Sequence, residues 1–223
     1  MATDEQAVSQ AELDREWWLR TLAVFQAPRA VFAALRAESR EEVEARQEPV
    51  LALVLLAGMA GVLVAPSTGR LLDESIVGNS SAVVAVLIFV TGALYGAATY
   101  WIGGAALYAG LRGAGSKGSY LRARHVLAFA AAPLLVGLVV VWPVRLAVYG
   151  SDLFRTGGED SGRGNVAFEV LLGAIGLWAV GLLVYGIAVV ERWTILRALV
   201  SVALVVLGLL VITFPFLIPL ASR

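Results

Sequence analysis

The sequence predicts an all-α, polytopic membrane protein: five transmembrane helices preceded by amphipathic N-terminal cytoplasmic helices. Three observations predict it. Apolar stretches run over residues 82–110, 126–144, 170–190 and 198–220, with a shorter one at 50–65, and a helix needs roughly 20 residues to cross the hydrocarbon core of a bilayer. The 223-residue chain is 59% hydrophobic with a mean hydropathy of +0.82, outside the soluble globular range. Charge is unevenly distributed: residues 1–48 hold ten acids and six arginines, and the remainder seven acids and eleven bases.

Two domains follow, a cytoplasmic amphipathic segment at 1–48 and a five-helix membrane domain at 49–221. The spans are placed at about 50–66, 81–110, 125–148, 166–190 and 198–220. Met1 to Glu16 lack the basic start and apolar core of a secretory signal, so no cleavage is expected. The absence of cysteine excludes disulfides, thiolate chemistry and cysteine lipidation.

Within the first segment, Trp18, Leu22 and Phe25 share one helical face, widened by Trp17, while Asp14, Arg15, Glu16 and Arg20 lie elsewhere. Such a face either lies in the headgroup layer and meets partners, or packs against the inner ends of the bundle. Pro28 fits a helix start, with Val31, Phe32 and Leu35 as a second small apolar face. Ser39 and Glu42 make a capping box for a short charged helix ending before Pro49.

The stretch from Val50 to Ala65 reaches only about 24 Å at about 1.5 Å per residue, so it crosses with local thinning or extension past Pro66. From Ser75 to Leu111 no charge occurs. That is too long for one perpendicular helix, and a tilted helix softened at Gly103 and Gly104 accounts for it. Pro133 and Pro143 should bend the third span, and Pro215 and Pro219 should bend or end the fifth.

Five crossings can be oriented by their flanking charges. With the N-terminus in the cytoplasm, twelve of the seventeen basic residues fall inside, leaving Arg70, Arg145, Arg155, Arg163 and Arg223 outside. The positive-inside rule therefore selects an inside N-terminus and an outside C-terminus. The loop carrying Arg112, Lys117, Arg122 and Arg124 has no acid, and its four cations are candidates for contact with anionic lipid headgroups.

Inside or at the edge of the apolar runs, the ionisable residues are Arg145 and Glu169, both near the outer ends of their spans. A charge in hydrocarbon is costly unless it pairs or snorkels. An intramembrane ion pair is the expected arrangement, with binding of a substrate or headgroup as the other reading. Gly92 and Gly96 form a GxxxG pair in the second span, and Gly173, Gly176, Gly181 and Gly186 punctuate the fourth. These small residues suit close helix packing, first within the chain and otherwise in a homo-oligomer.

No reaction is legible. Glu41, Glu42 and Arg46 spell an EExxxR motif of intramembrane proteases, but in a polar segment and without the histidines such a site needs. One histidine, His125, and no cysteine leave no metal-ligand cluster; His125 reads as an interfacial residue at the mouth of the third span. The glycines at 113, 115 and 118 lack the lysine and serine or threonine of a phosphate loop. Neither a cofactor nor a nucleic-acid partner is expected.

The pattern Pro28-x-x-x-Phe32-x-x-Leu35 ahead of the first span, the Ala-Ala-Pro ending at Pro133, and the run Trp178 to Gly186, Glu191-Arg192-Trp193 and Arg197-Ala198-Leu199 together resemble the Yip family, membrane proteins named for interaction with Ypt/Rab GTPases, in its prokaryotic branch. The resemblance implies a five-helix bundle with a cytoplasmic N-terminus. The Asp-Leu-Tyr-Gly-Pro signature of eukaryotic members is missing from residues 1–48, so GTPase binding does not carry over. The expected role is non-enzymatic membrane organisation or partner scaffolding in a prokaryotic plasma membrane, with lipids and other membrane proteins as partners. The alternative is a small transporter or lipid-handling protein using a groove along the glycine-rich second and fourth spans.

Overall fold

The computed structural model describes residues 21–37, 47–64, 81–150 and 165–221. Trp17, Trp18 and the Ser39–Glu42 capping box lie outside them. Among the described residues every regular element is helical. Residues 21–26 form a short helical stretch, followed by α1 (Pro28–Ala37) and α2 (Gln47–Val64). Next comes α3, which runs from Ser81–Ala98 through a π turn at Thr99–Gly103 into Gly104–Gly113. The fourth helix, α4, is segmented as Tyr120–Ala130, Ala132–Val136, a π turn at Gly137–Val141, and Trp142–Tyr149. Two long helices, α5 (Val166–Glu191) and α6 (Ile195–Ala221), complete the chain.

Three stretches are long and apolar enough to cross a membrane: Val86–Gly113, Tyr120–Tyr149 and Val166–Glu191. Val50–Leu63 and Ile195–Leu209 are shorter apolar stretches. The protein is a multi-pass membrane protein, and its surface fits that solvent. Leu94 on α3, Val139 on α4 and Leu177 on α5 are 66%, 67% and 73% exposed, an apolar girdle that lipid rather than water must cover.

Local sequence explains the boundaries and bends. Pro28 opens α1 at the first-turn position, where its missing N–H removes no helical bond. Helix α2 begins at Gln47 and runs through Pro49, which is tolerated in the first turn for the same reason. Helix α4 begins at Tyr120, earlier than the expected 125, because the Ser119 side chain caps it, accepting a bond from the Arg122 backbone N–H at 3.2 Å.

The softening expected at Gly103 and Gly104 is realised as the π turn that ends at Gly103. In α4, Pro133 follows the break at Ala131, and the π turn before Pro143 lets the Trp142 N–H reach the Gly137 carbonyl. The fifth span carries Pro215 and Pro219, where a bend or an end is expected. Its helix continues through Pro215 and Pro219 to Ala221.

Helices α2 and α3 cross antiparallel at backbone contact. Gly58 meets Gly92 and Gly96, a Cβ on Gly92 would lie 2.6 Å from the Met59 Cα, and Gly96 abuts Val54 and Leu55. Only hydrogen side chains permit this approach. By contrast, a Cβ on Gly173, Gly176 or Gly181 would meet no atom within 4 Å among the described residues. The close packing expected of Gly176 and Gly181 has no described partner, since neither has a described neighbour within 4 Å of its Cβ position. The fourth glycine of that helix, Gly186, is covered by Phe32.

The described part of the N-terminal segment lies along α5. Phe25 meets Trp178 edge to face at a centroid distance of 5.3 Å, Phe32 sits over Gly186, and Arg36 reaches the Val189 carbonyl. Successive positions meet successively later residues of α5, so the two run parallel. Val24, Val31, Phe32 and Leu35 join the core with Leu182, Ile187 and Ala188.

Candidate functional site

Polar chemistry concentrates at the end of the bundle where α1, α3 and α5 finish and α4 and α6 begin. The last carbonyls of a helix lack intrahelical donors and carry its negative dipole end, which suits a guanidinium. Three arginines use that rule here, and a fourth, Arg112, braces the turn that follows α3. Arg36 donates to the Val189 carbonyl near the end of α5 at 3.4 Å. Arg122 donates to the Arg36 carbonyl near the end of α1 at 3.4 Å. Arg112 donates to the Ser116 carbonyl at 3.5 Å, and Arg197 donates to the Ala114 carbonyl just past α3.

The turn between α3 and α4 is built by short-range bonds. The Ser116 N–H reaches the Leu111 carbonyl at 2.8 Å, Gly115 takes the positive φ of 92°, and the Gly118 N–H donates to the Ser116 hydroxyl at 2.9 Å. Between α5 and α6, Arg192 adopts the left-handed conformation (φ 56°, ψ 37°). The Thr194 hydroxyl accepts from the Arg197 N–H at 3.3 Å and starts α6. Arg197 also lies over Trp193, 4.1 Å from the ring centre.

The four cations expected to touch lipid headgroups therefore divide. Lys117 is exposed on the turn; Arg112 and Arg122 hold the carbonyls described above. Arg124 requires a correction, being only 8% exposed and inside the bundle. Its stem fills the space left by Gly104, and its guanidinium lies between the rings of Tyr100 at 4.8 Å and Tyr120 at 4.5 Å. Tyr120 in turn donates to the Trp101 carbonyl at 2.8 Å. Aromatic faces stabilise a cation that has left water. The neighbouring His125, expected at the interface, is buried in the core as well.

At the opposite end, α4 and α5 are brought together by Tyr149 and Phe168, 5.9 Å apart edge to face. Arg145 is buried and stacks on Trp142 at 4.8 Å. Glu169, on the first turn of α5, is exposed and accepts a hydrogen bond from the Asn165 side chain at 2.8 Å.

Of the apolar N-terminal face, Leu22 is exposed and Phe25 is partly covered by α5. Phe25 thus packs midway along α5 at Trp178 rather than at a helix end, while Leu22 is presented outward. Among the described residues no group of three histidine, cysteine or acidic side chains is placed to hold a metal ion.

Sequence reasoning missed a second basic feature at the end where α5 finishes. Arg29 and Arg36 on α1 and Arg192 on the turn border one groove between α1 and the end of α5. The Glu191-Arg192-Trp193 turn was the one local signal for it, and two of the three arginines come from far upstream. Residues 22–215 match the family model described as Yip1 domain. Neither a curated protein nor a solved structure matches the chain.

Proposed function

Because the chain belongs to the Yip1 domain family, we propose that it is a non-enzymatic membrane protein that organises membrane or scaffolds partner membrane proteins. It crosses the bilayer five times, with its N-terminus in the cytoplasm of a prokaryotic cell, in the plasma membrane, and its C-terminus outside. The observation that carries this reading is the apolar girdle over three long helices combined with an inner end where arginines satisfy the helix carbonyls. The polar groups hold the bundle's shape, and the apolar faces and the N-terminal segment are left to meet lipid and protein.

Affinity capture of the full-length chain from native membranes, followed by mass spectrometry, tests it. The reading expects a reproducible set of membrane proteins, lost on Trp18→Ala or Leu22→Ala while the bundle stays folded. Capture of nothing beyond background in both the parent and the variants contradicts it.

A second reading, a small transporter or lipid-handling protein, is favoured by Gly173, Gly176 and Gly181, none of which has a neighbour within 4 Å of its Cβ position among the described residues. Arg145 and Glu169 stand at the outer ends of α4 and α5 in the five-span arrangement, as an ion pair or as ligands. Solute or lipid flux in proteoliposomes that vanishes on Arg145→Ala would establish that reading over the first.

A further inference from the structure

Between α1 and the C-terminal turn of α5 lies an open groove of about 590 Å³. Arg29 and Arg36 border it on one side and Arg192 on the other, with Tyr185, Trp193 and Ile195 completing the walls. Its described lining contains no carboxylate. The adjacent Glu191 points away, to the turn where a Cβ on Gly118 would lie 2.8 Å from its Oε1. Three guanidiniums around one concavity repel one another unless an anion enters, and planar forks of this kind match phosphate oxygens.

The backbone adds an independent observation. Arg192 is the one non-glycine residue with positive φ among the described residues. The Trp193 N–H closes back on the Ala188 carbonyl at 3.0 Å, the helix-ending turn in which glycine is the usual occupant. An arginine there carries backbone strain that glycine would avoid. In return it sets a guanidinium on the rim of the groove.

We propose that this groove binds the phosphate headgroup of an anionic phospholipid from the inner leaflet. The phosphate would sit among the three arginines. Tyr185 and Trp193 offer amphipathic rings suited to the glycerol level, and Ile195 opens α6, whose exposed Leu196 and Leu199 continue an apolar surface for the acyl chains. A soluble phosphate would use none of that apolar wall. The inference rests on the membrane-spanning reading of α5 and α6 and is separate from the partner-scaffold role.

Native mass spectrometry of the full-length protein in a neutral detergent tests it, with phosphatidylglycerol and phosphatidylcholine of equal chain length as probes. Preferential retention of phosphatidylglycerol is expected. It should fall about thirtyfold in Arg29→Gln/Arg192→Gln, the factor two surface guanidiniums supply together, and stay unchanged in Arg155→Gln/Arg163→Gln, which removes the same charge from the loop ahead of α5. Arg192→Gly separates binding from folding: phosphatidylglycerol retention drops while the melting temperature holds or rises. Equal losses in both double variants, no preference between the two lipids, or displacement of the lipid by equimolar inorganic phosphate would each overturn the proposal. A chain that stays folded and dispersed without detergent would remove its membrane premise instead, a failure visible before any lipid is added.

Discussion

The ring of Phe32 occupies the space that a side chain at residue 186 would need: a Cβ on Gly186 would lie 2.7 Å from the Phe32 Cε1. Phe32 is fully buried by this contact, and α1 is fixed to α5 through it. Gly186→Leu is expected to undock α1 at a cost of about 1–3 kcal/mol from overpacking. Phe32→Ala is expected to cost about 3 kcal/mol through the cavity it leaves. Thermal unfolding in detergent reads both, and amide exchange should rise selectively over residues 28–37. Unchanged exchange there would show that the contact does not hold α1.

Among the described residues, Arg124 is held between two tyrosine faces rather than by a carboxylate. Arg124→Lys should therefore behave as a loss, because an ammonium cannot stack as a guanidinium does; a destabilisation of about 1–2 kcal/mol is expected. Tyr100→Phe should be neutral or stabilising, since the buried Tyr100 hydroxyl has no hydrogen-bond partner among the described residues. Melting temperatures of the two variants decide this. A stable Arg124→Lys with a damaged Tyr100→Phe would reverse the assignment.

The crossing of α2 and α3 depends on three glycines. Gly58→Val and Gly96→Val each place atoms inside a neighbouring backbone, which the crossing cannot absorb by moving a side chain. Each should lower stability by about 3 kcal/mol or more, and Gly176→Val should cost far less, because its described surroundings are open. Comparable melting temperatures for all three would contradict the placement of the crossing.

Arg122 bonds the end of α1, and Arg36 bonds the end of α5 from that same turn of α1. Arg36→Met and Arg122→Met should therefore be non-additive, with a coupling of about 0.5–1 kcal/mol in a double-mutant cycle. Strict additivity would show that the two capping bonds act separately.

The helices and their approximate ends were legible because hydropathy and proline act locally. Pro28 marks the start of α1, and Gly103 ends the π turn of α3. The family was legible in short patterns such as Pro28 to Leu35, and the match over residues 22–215 agrees. The cage around Arg124 was not, since an arginine beside a basic loop looks like any surface cation until Gly104 and Tyr100 are folded against it. Nor were Phe25 on Trp178, Phe32 on Gly186 or the groove at Arg29, Arg36 and Arg192. These join residues some 150 positions apart, and no periodicity within one helix encodes which face of another helix it meets.

The central claim is the crossing pattern, and the chain's lack of cysteine makes it directly measurable by single-cysteine labelling. With a membrane-impermeant maleimide added outside intact cells, Ser161→Cys and Ser222→Cys should label at once, while Ser9→Cys and Lys117→Cys should label only after permeabilisation. Labelling of residues 9 and 222 from the same side would contradict five crossings and the orientation that the arginines and lysine predict.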